Sequence, residues 1–561
     1  MKKLVIRADA GGELGTGHVM RMIALAQAYM RRGGQVVITS VQCPEPIIHR
    51  VLELGIEHHM LIGCELENKK DSAATLQICE EHDAQWLVLD GYHFDEEYQQ
   101  RVAGHDIKVL CVDDYGHCET WNCDAVLNQN LGAENWVERS AKRSDITWLL
   151  GSSFALIREE FLESIRGAKE KKFPAHRILV TMGGADPDNV TLKVLCALEE
   201  TDLQGLEMRV LVGGANSHQE KLTQFANSSR HQIEVLCNVR EMPPMYEWAD
   251  AVISAGGSTC WEWLAYGLPG AVVTIAGNQE PIVKELNGRQ LALSLGWFTE
   301  ADSGEWGSKL NEWLNNLHEF ADYSARRHVV DCKGAARVAA LLDGKLTITV
   351  ATSEHGWLRG SVDSLCKKLR KEGHLVQLVY KAEDIPPSDV LFLLSFWNLI
   401  SSDILNQNTH NLVVHESDLP NGKGWSPLTW QVIDGKNEIP IVLFEAVEKI
   451  DAGPIYLRSD IRLDEGDLID EIHEKQAKKT YDLCEAFIAS YPRLIGEGKI
   501  QRGEETFYPR RRPDDSEIDP EKSIASQFDL LRTVDNVLYP AFFHYCNHKY
   551  IIRIEKVLAD D

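Results

Sequence analysis

Residues 411–430 read NLVVHESDLPNGKGWSPLTW, and twenty residues further on 450–454 read IDAGP. Leu412, Val413 and Val414 make the short apolar run of a buried strand, and that strand delivers His415 at its end. The Leu419-Pro420 pair and the glycines Gly422 and Gly424 then force an irregular loop. Asp451 sits on a Gly-flanked turn able to return to the same sheet edge. One imidazole and one carboxylate at a loop-lined crevice are the minimum set for proton transfer during attack on a carbonyl.

Composition bounds what surrounds this stretch. A chain of 561 residues is too long for one core, so three or four domains are expected. Hydrophobic residues at 44% and charged residues at 25% belong to an ordinary soluble globular protein. A net charge of -27 argues against a nucleic-acid partner, because phosphate contacts need clustered Lys and Arg. The basic run Arg510, Arg511, Arg512 is followed at once by Pro513-Asp514-Asp515 and reads as a solvated edge or a single anion contact. The start, MKKLVIRADAGG, lacks the apolar core of a signal peptide, and no run of about 18 apolar residues follows, so no membrane span is expected. Thirteen cysteines, scattered through apolar segments, suit a reducing cytoplasmic setting. The densest group, Cys111, His117, Cys118 and Cys123, is too loosely spaced for a metal grip, and no metal is expected.

The front of the chain reads as a β-loop-α-β unit: a strand over 3–7, a Gly-rich loop over 8–17, a helix over 18–32 and a strand over 36–39. Val19, Met20, Ile23, Leu25, Ala26 and Met30 supply the helix's apolar surface, and Gly33-Gly34 end it. A Gly-rich loop entering a helix offers N–H groups and a positive dipole end to an anion. Strands over 86–90, 108–113 and 125–128 end in Asp90-Gly91-Tyr92, Asp113-Asp114-Tyr115 and Asn128-Gln129-Asn130, which in a parallel sheet line one crevice. After 148–161, strands over 177–181, 208–212 and 251–254 each close on a Gly-rich turn, and a further strand follows over 271–275. Two of these junctions read equally well as tight turns without a ligand. The third places Ser258, Thr259 and Glu262 at a helix start, where hydroxyls and N–H groups suit a diphosphate and Glu262 could accept from ribose hydroxyls.

Two such lobes resemble the GT-B arrangement of nucleotide-sugar enzymes. More narrowly, RAD (7–9), GTGHVMR (15–21), LGSSFALIR (150–158), MGGADPDN (182–189), SAGGSTCWEWLAYGLP (254–269) and Asn278-Gln279 resemble the nucleotide-sugar hydrolases of pseudaminic acid biosynthesis. Those enzymes release UDP from its 2,4-diacetamido-2,4,6-trideoxy-L-altrose conjugate. The resemblance implies that His18 is the general base activating water at the anomeric carbon, with inversion and without metal. It also places Tyr92 in the catalytic cleft and gives Gly17, Arg21, Gly257, Ser258, Thr259, Glu262, Asn278 and Gln279 contacts with the nucleotide sugar. A helix N-terminus disfavours the cationic imidazole, which agrees with a base at His18. A GT-B fold also hosts glycosyltransferases, so a transferase stays open.

Near Asp343-Gly344 a second α/β region begins, with strands over 346–351, 376–380, 390–395 and 412–414 and a helix over 360–372. The HxSxLP loop, the KG step at Lys423-Gly424 and the DxG turn at Asp451 resemble the formyltransferases that use 10-formyltetrahydrofolate. The resemblance implies that His415 stabilises the oxyanion or shuttles the amine proton, that Asp451 orients the imidazole, and that Ser395, Phe396, Trp397 and Gly453 lie along the folate pocket. Core packing explains Phe396-Trp397 equally well. The chain departs from the family at Val413, where an Asn is usual; Asn411 would need a distorted strand to reach the site. Losing one oxyanion donor costs about 3 kcal/mol, so Asn398, Ser417 or a backbone N–H is expected to stand in. FYPRRRPDDSEID (507–519) and LYPAFF (538–543) resemble the small end piece of sugar N-formyltransferases. No longer, basic β-barrel follows, which points to a sugar amine rather than transfer RNA.

The expected architecture is therefore α/β: two Rossmann-like lobes in a GT-B arrangement (1–150 and 151–343), a formyltransferase Rossmann-like domain (344–504) and a small C-terminal subdomain (505–561). The expected protein is a cytoplasmic bifunctional enzyme that formylates the 4-amino group of a UDP-linked 4-amino-4,6-dideoxy-N-acetyl-L-altrosamine and hydrolyses the UDP-sugar. Fusion raises the local concentration of the intermediate. A non-catalytic, formyltransferase-like binding module is the other reading of the rear half, and assembly as a homo-oligomer is left open.

Overall fold

The computed structural model describes residues 2–11, 15–66, 69–133, 135, 146–168, 170–171, 174–214, 216–300, 302–317 and 323–557. Residues 12–14 of the expected Gly-rich loop lie outside them. The chain divides into two compact units, Met1–Asp343 and Gly344–Asp561.

The front unit contains two parallel sheets. The first comprises β1 (Lys3–Ala8), β2 (Gln35–Ser40), β3 (Glu57–Met60), β4 (Ala84–Asp90), β5 (Lys108–Val112), β6 (Ala125–Asn128) and β7 (Thr147–Leu150), in the order β3-β2-β1-β4-β5-β6-β7. All its pairings are parallel. Strands such as Leu4-Val5-Ile6 and Leu87-Val88-Leu89 are continuous apolar runs because both faces of a parallel sheet are covered. The chain winds outward from β1 to β3 and then returns to β4 on the other side of β1. The loops after β1 and β4 therefore diverge, opening a crevice at the strands' carboxyl ends.

The helix Gly17–Arg31 leaves that crevice and buries Val19, Met22, Ile23, Leu25, Ala26 and Tyr29. It is apolar on more than one side because the helix Gly334–Asp343 packs on it as well, with Arg32 reaching Asp343 at 3.2 Å. Gly33 ends the helix at φ +83°, its N–H bonding to Met30.

The second sheet comprises β8 (Arg177–Thr181), β9 (Glu207–Val212), β10 (Gln232–Cys237), β11 (Ala251–Ala255), β12 (Gly270–Thr274) and β13 (Ala292–Trp297), ordered β10-β9-β8-β11-β12-β13. Its switch point lies between β8 and β11, so Gly183-Gly184 and Gly256-Gly257 flank one crevice. The glycine after β9 has a different reason to be there. A Cβ on Gly213 would stand 2.2 Å from the Gly184 carbonyl oxygen, so Gly213 lets two loops pack backbone to backbone. Trp261, Trp263, Trp306 and Trp313 anchor the core around this sheet.

The rear unit has a mixed sheet of β14 (Thr347–Ala351), β15 (Leu375–Val379), β16 (Val390–Leu393), β17 (His410–His415), β19 (Glu438–Glu445) and β20 (Ile455–Arg462), ordered β15-β14-β16-β17-β19-β20. β17 pairs in parallel with β16 and antiparallel with β19. The sequence reading found the parallel portion and missed the antiparallel pair. Two-residue strands β18 (Lys423–Gly424) and β21 (Phe507–Tyr508) pair with each other, tying the loop after His415 to the chain's last portion. The hairpin β22 (Ala541–Tyr545) and β23 (His548–Ile552) turns at Cys546 and Asn547. Both have positive φ, as a two-residue hairpin turn requires. No described helix is long and apolar enough to cross a membrane.

Gly213→Ala is expected to destabilise the front unit by about 1–3 kcal/mol, the cost of forcing backbone apart in a packed interior. Urea unfolding of the full chain checks this, reading the midpoint of the transition that belongs to the front unit.

Candidate functional site

At the switch point of the first sheet, β4 ends in Asp90, buried under the first turn of the helix Gly17–Arg31. His18 Nδ1 lies 2.7 Å from Asp90 Oδ1. Arg21 Nη2 lies farther from the same nitrogen, at 3.2 Å; the nearer carboxylate only accepts, so Nδ1 donates to Asp90. His18 is 8% exposed, and its Nε2 makes no hydrogen bond among the described residues.

One turn on, Arg21 donates from Nε and Nη2 to the two oxygens of Asp90 at 2.7 and 2.6 Å, and from Nη1 to Asp114 at 2.7 Å. Tyr92 donates its hydroxyl to Asp114 Oδ2 and accepts from Asn278 Nδ2, both at 2.7 Å. Its ring stands edge-on to His18, with centroids 5.0 Å apart. A chain of hydrogen bonds, buried at its inner end, therefore runs from Asn278 of the second lobe through Tyr92, Asp114, Arg21 and Asp90 to the imidazole.

Burial works against ionisation of Asp90, but Arg21 and His18 outweigh it and hold its pKa below the usual carboxylate value. Asp114 is likewise pulled down, by Arg21 above all, against the same burial. The Tyr92 hydroxyl is pushed far up by burial and by Asp114. Tyr92 was expected among the catalytic groups. It does lie in the cleft, but its hydroxyl is occupied on both sides and stays protonated, which suits positioning rather than proton transfer. Arg21 was expected to bind substrate; its guanidinium is instead spent on two carboxylates of its own lobe. The sequence reading noted Asp90 and Asp114 only as polar strand ends and missed their partnership with the helix.

The second lobe meets this helix closely. A Cβ built on Gly17 would stand 3.9 Å from Ser258 Oγ, and one on Gly184 3.5 Å from Thr16 Oγ1. Gly256 admits no side chain because Val283 fills the space, whereas a Cβ on Gly257 would meet only Gln279 Nε2 at 3.9 Å. Gln279 uses its Oε1 to accept from Ile275 N–H. Ser258 and Thr259 open the helix Thr259–Ala265, and neither side chain is used as a cap. Glu262, the expected ribose acceptor, takes bonds from Arg158 Nη2 at 3.2 Å and Tyr246 Oη at 2.9 Å. Burial raises its pKa despite Arg158.

In the rear unit His415 ends β17, 6% exposed. Its Nε2 lies 2.8 Å from the Gly422 carbonyl oxygen. A carbonyl cannot donate, so Nε2 carries the proton and Nδ1 is the acceptor. Asp451, at φ +50°, accepts from Gly424 N–H at 3.0 Å. The expected bond from Asp451 to His415 is absent among the described residues: the ring bonds the Gly422 carbonyl and the carboxylate bonds the Gly424 N–H.

Gly453, expected along the folate pocket, has a packing reason to lack a side chain. A Cβ there would stand 1.8 Å from the Glu445 carbonyl oxygen, so close strand packing accounts for that glycine. Phe396 packs into an apolar cluster with Leu391, Leu393 and Val413, while Trp397 is 53% exposed. Ser395 sits between β16 and these aromatics at φ +49°.

Val413 lies among Leu419, Val442, Phe444 and Ile455, an apolar surround at the position where a polar donor was sought. Asn411 turns away and donates to the Leu405 carbonyl at 2.9 Å, and Asn398 is exposed. Ser417 alone of the three side chains is buried beside Gly422, and its hydroxyl has no partner among the described residues.

Residues 177–293 match the glycosyltransferase family 28 C-terminal domain, and residues 365–487 match the formyl transferase family. The chain thus joins a C-terminal domain of glycosyltransferase 28 type to a formyl transferase domain. It is 24% identical over 348 residues to the spore coat polysaccharide biosynthesis protein SpsG of Bacillus subtilis, covering 60% of this chain and 96% of that protein. Among solved structures, MurG of Acinetobacter baumannii is 14% identical, covering 61% of this chain and 100% of that one at a TM-score of 0.44. Methionyl-tRNA formyltransferase of Clostridium thermocellum is 22% identical, covering 38% and 95% at a TM-score of 0.33.

The buried charges near His18 make a stability prediction. Asp90 and Asp114 are more acidic folded than unfolded, so their contribution is fully present above about pH 4. It is lost as pH falls through the lower folded values. Arg21→Met leaves both carboxylates without their cation and is expected to cost about 3–5 kcal/mol at neutral pH. As pH falls, the penalty should begin to shrink above about pH 4, because burial without the cation raises both carboxyls and protonation then removes the unpaired charges. Urea unfolding of both proteins across pH 3 to 8 checks the size and the slope.

Proposed function

We propose that the front unit hydrolyses a UDP-linked 2,4-diamido-2,4,6-trideoxyhexose and that the rear unit supplies its substrate by formylating the 4-amino group from 10-formyltetrahydrofolate. The observation that carries the hydrolase reading is the His18–Asp90 pair at the mouth of a crevice walled on its far side by Ser258. His18 Nε2 takes a proton from water as the water oxygen bonds to the anomeric carbon. The bond from that carbon to the phosphate oxygen breaks, and UDP leaves. Asp90 holds the ring and balances the charge that the ring acquires. Backbone N–H groups at Gly257–Thr259 with the hydroxyls of Ser258 and Thr259 hold the diphosphate. Glu262 and Gln279 border that turn, and Asn278 with Tyr92 fixes the two walls of the cleft.

In the rear unit the sugar amine attacks the formyl carbon, the bond from that carbon to folate N10 breaks as N10 takes up the proton lost by the amine, and a formamide and tetrahydrofolate result. His415 Nδ1 is the acceptor for the amine proton, with Gly422 fixing the tautomer. The Ser417 hydroxyl stands in for the missing Asn as a donor to the tetrahedral oxygen, and Trp397 offers an exposed ring to the pterin. The match of residues 365–487 to formyl transferases supports this half. The name of SpsG, which places that relative in polysaccharide biosynthesis, supports a sugar pathway.

Two observations keep other readings alive. The glycosyltransferase 28 match favours transfer to a sugar acceptor, and the apolar surround of Val413 favours a rear unit that binds without reacting.

The test is incubation with the 4-amino UDP-sugar and 10-formyltetrahydrofolate, followed by mass spectrometry. A gain of one formyl group and release of UDP without any added acceptor are expected. UDP release only with an acceptor would favour the transferase, and no formyl gain would leave the binding module. His18→Ala should lower UDP release by about 10²–10⁴-fold and Asp90→Asn by about 10⁴-fold, both sparing formylation. His415→Ala should do the reverse.

A further inference from the structure

Away from the cleft, the outer edge of the first sheet brings together a group of side chains that the proposed chemistry does not use. β3 is the edge strand, and its sequence Glu57-His58-His59-Met60 alternates faces. His58 points one way and lies 3.2 Å from Ser40 Oγ, whereas Glu57 and His59 share the other face. His82 comes to that face from the turn just past the helix Lys69–Glu81. His59 Nε2 lies 2.8 Å and His82 Nε2 3.9 Å from Glu57 Oε1. The two rings stand edge to face with centroids 5.5 Å apart. One donor atom from each residue lies within 4.8 Å of the other two, and among the described residues this is the one such group of three His, Cys, Asp or Glu side chains.

From these positions we propose that Glu57, His59 and His82 form a binding site for a transition-metal cation of the zinc class, distinct from the cleft. Two imidazoles and one carboxylate are a donor set that zinc accepts, with a fourth position left for water. Ligands about 2.0–2.1 Å from a tetrahedral centre stand roughly 3.3 Å from one another, and the observed separations bracket that value, so small side-chain rotations close the site. Nitrogen donors disfavour magnesium and calcium, which take oxygen. Side-chain exposure of 54% for Glu57, 34% for His59 and 15% for His82 leaves an entry path and an open coordination position. β2 and β1 separate this edge from β4 and Asp90, so the ion would clip β3 to the helix end that precedes β4 rather than take part at His18. Nothing in this assignment depends on the activity proposed for the cleft.

The chain has 20 histidines, so loose zinc binding elsewhere must be separated from this site. Full-length protein stripped with a chelator is titrated with Zn²⁺ in competition with a chromophoric chelator, and with Co²⁺ read by its visible absorption. One tightly held ion per chain, a four-coordinate cobalt spectrum and a raised unfolding midpoint with zinc are expected. His59→Gln and His82→Gln should each abolish all three while keeping the metal-free far-UV circular dichroism. His544→Gln, which removes a surface imidazole paired with a single carboxylate, should change none of them. Absence of tight zinc binding in the unaltered protein, or equal retention in the His59 and His82 variants, overturns the proposal.

Discussion

The Arg21 guanidinium, sealed between Asp90 and Asp114, is the interaction on which the front unit depends. Three charged groups are buried there together, and such a cluster is tolerated only when every charge is paired and hydrogen-bonded. Its formal sum is one negative charge, held against the buried face of the His18 ring. The same guanidinium fixes Asp90, Asp90 fixes Nδ1 of the ring, and Nε2 is left facing the crevice. Tyr92 and Asn278 extend the network to the second lobe, so the two crevice walls are held by the groups that orient the base.

The winding of the first sheet is what brings this cluster together. β1 and β4 are neighbours in space although more than seventy residues separate them, because the chain completes β2 and β3 before returning. The helix after β1 and the strand end of β4 thus meet at the point where the winding reverses. The second lobe repeats the arrangement with glycine-rich turns after β8 and β11. Both lobes contribute polar strand ends to the space between them, while the tryptophan-rich core of the second lobe fixes where its turns sit.

Much of this was legible in the sequence. Apolar runs of four to six residues located most of the parallel strands, and polar residues closing those runs marked the crevice; β3, β7, β10 and β13, at the sheet edges, went unread. The partnership of His18 with Asp90 was not legible, because no local pattern says which strand end lies beneath a helix. Asp451 illustrates the same gap in the rear unit: its turn is visible in IDAGP, yet its bond goes to Gly424 N–H. Gly453 looked like a ligand contact and is explained by the Glu445 backbone, since close packing and ligand approach both demand a missing Cβ. The antiparallel strands β19 and β20 went unread because their alternation is interrupted and their pairing is set by the turn between them.

The two units differ in how completely their polar groups are arranged. Around His18 one guanidinium is shared by Asp90 and Asp114, and Asp90 orients the ring. Around His415 the ring is oriented by a carbonyl, the position of the usual Asn is apolar, and Ser417 carries an unmatched hydroxyl. Water attack at the anomeric carbon in the front unit is therefore the step on which the proposed function turns. Turnover of the formylated UDP-sugar in ¹⁸O-labelled water, with mass analysis of the UDP, tests that claim most directly. Release of unlabelled UDP is the result the account predicts, because the sugar carbon takes the water oxygen. Label in the terminal phosphate of UDP would place the attack on phosphorus and contradict it.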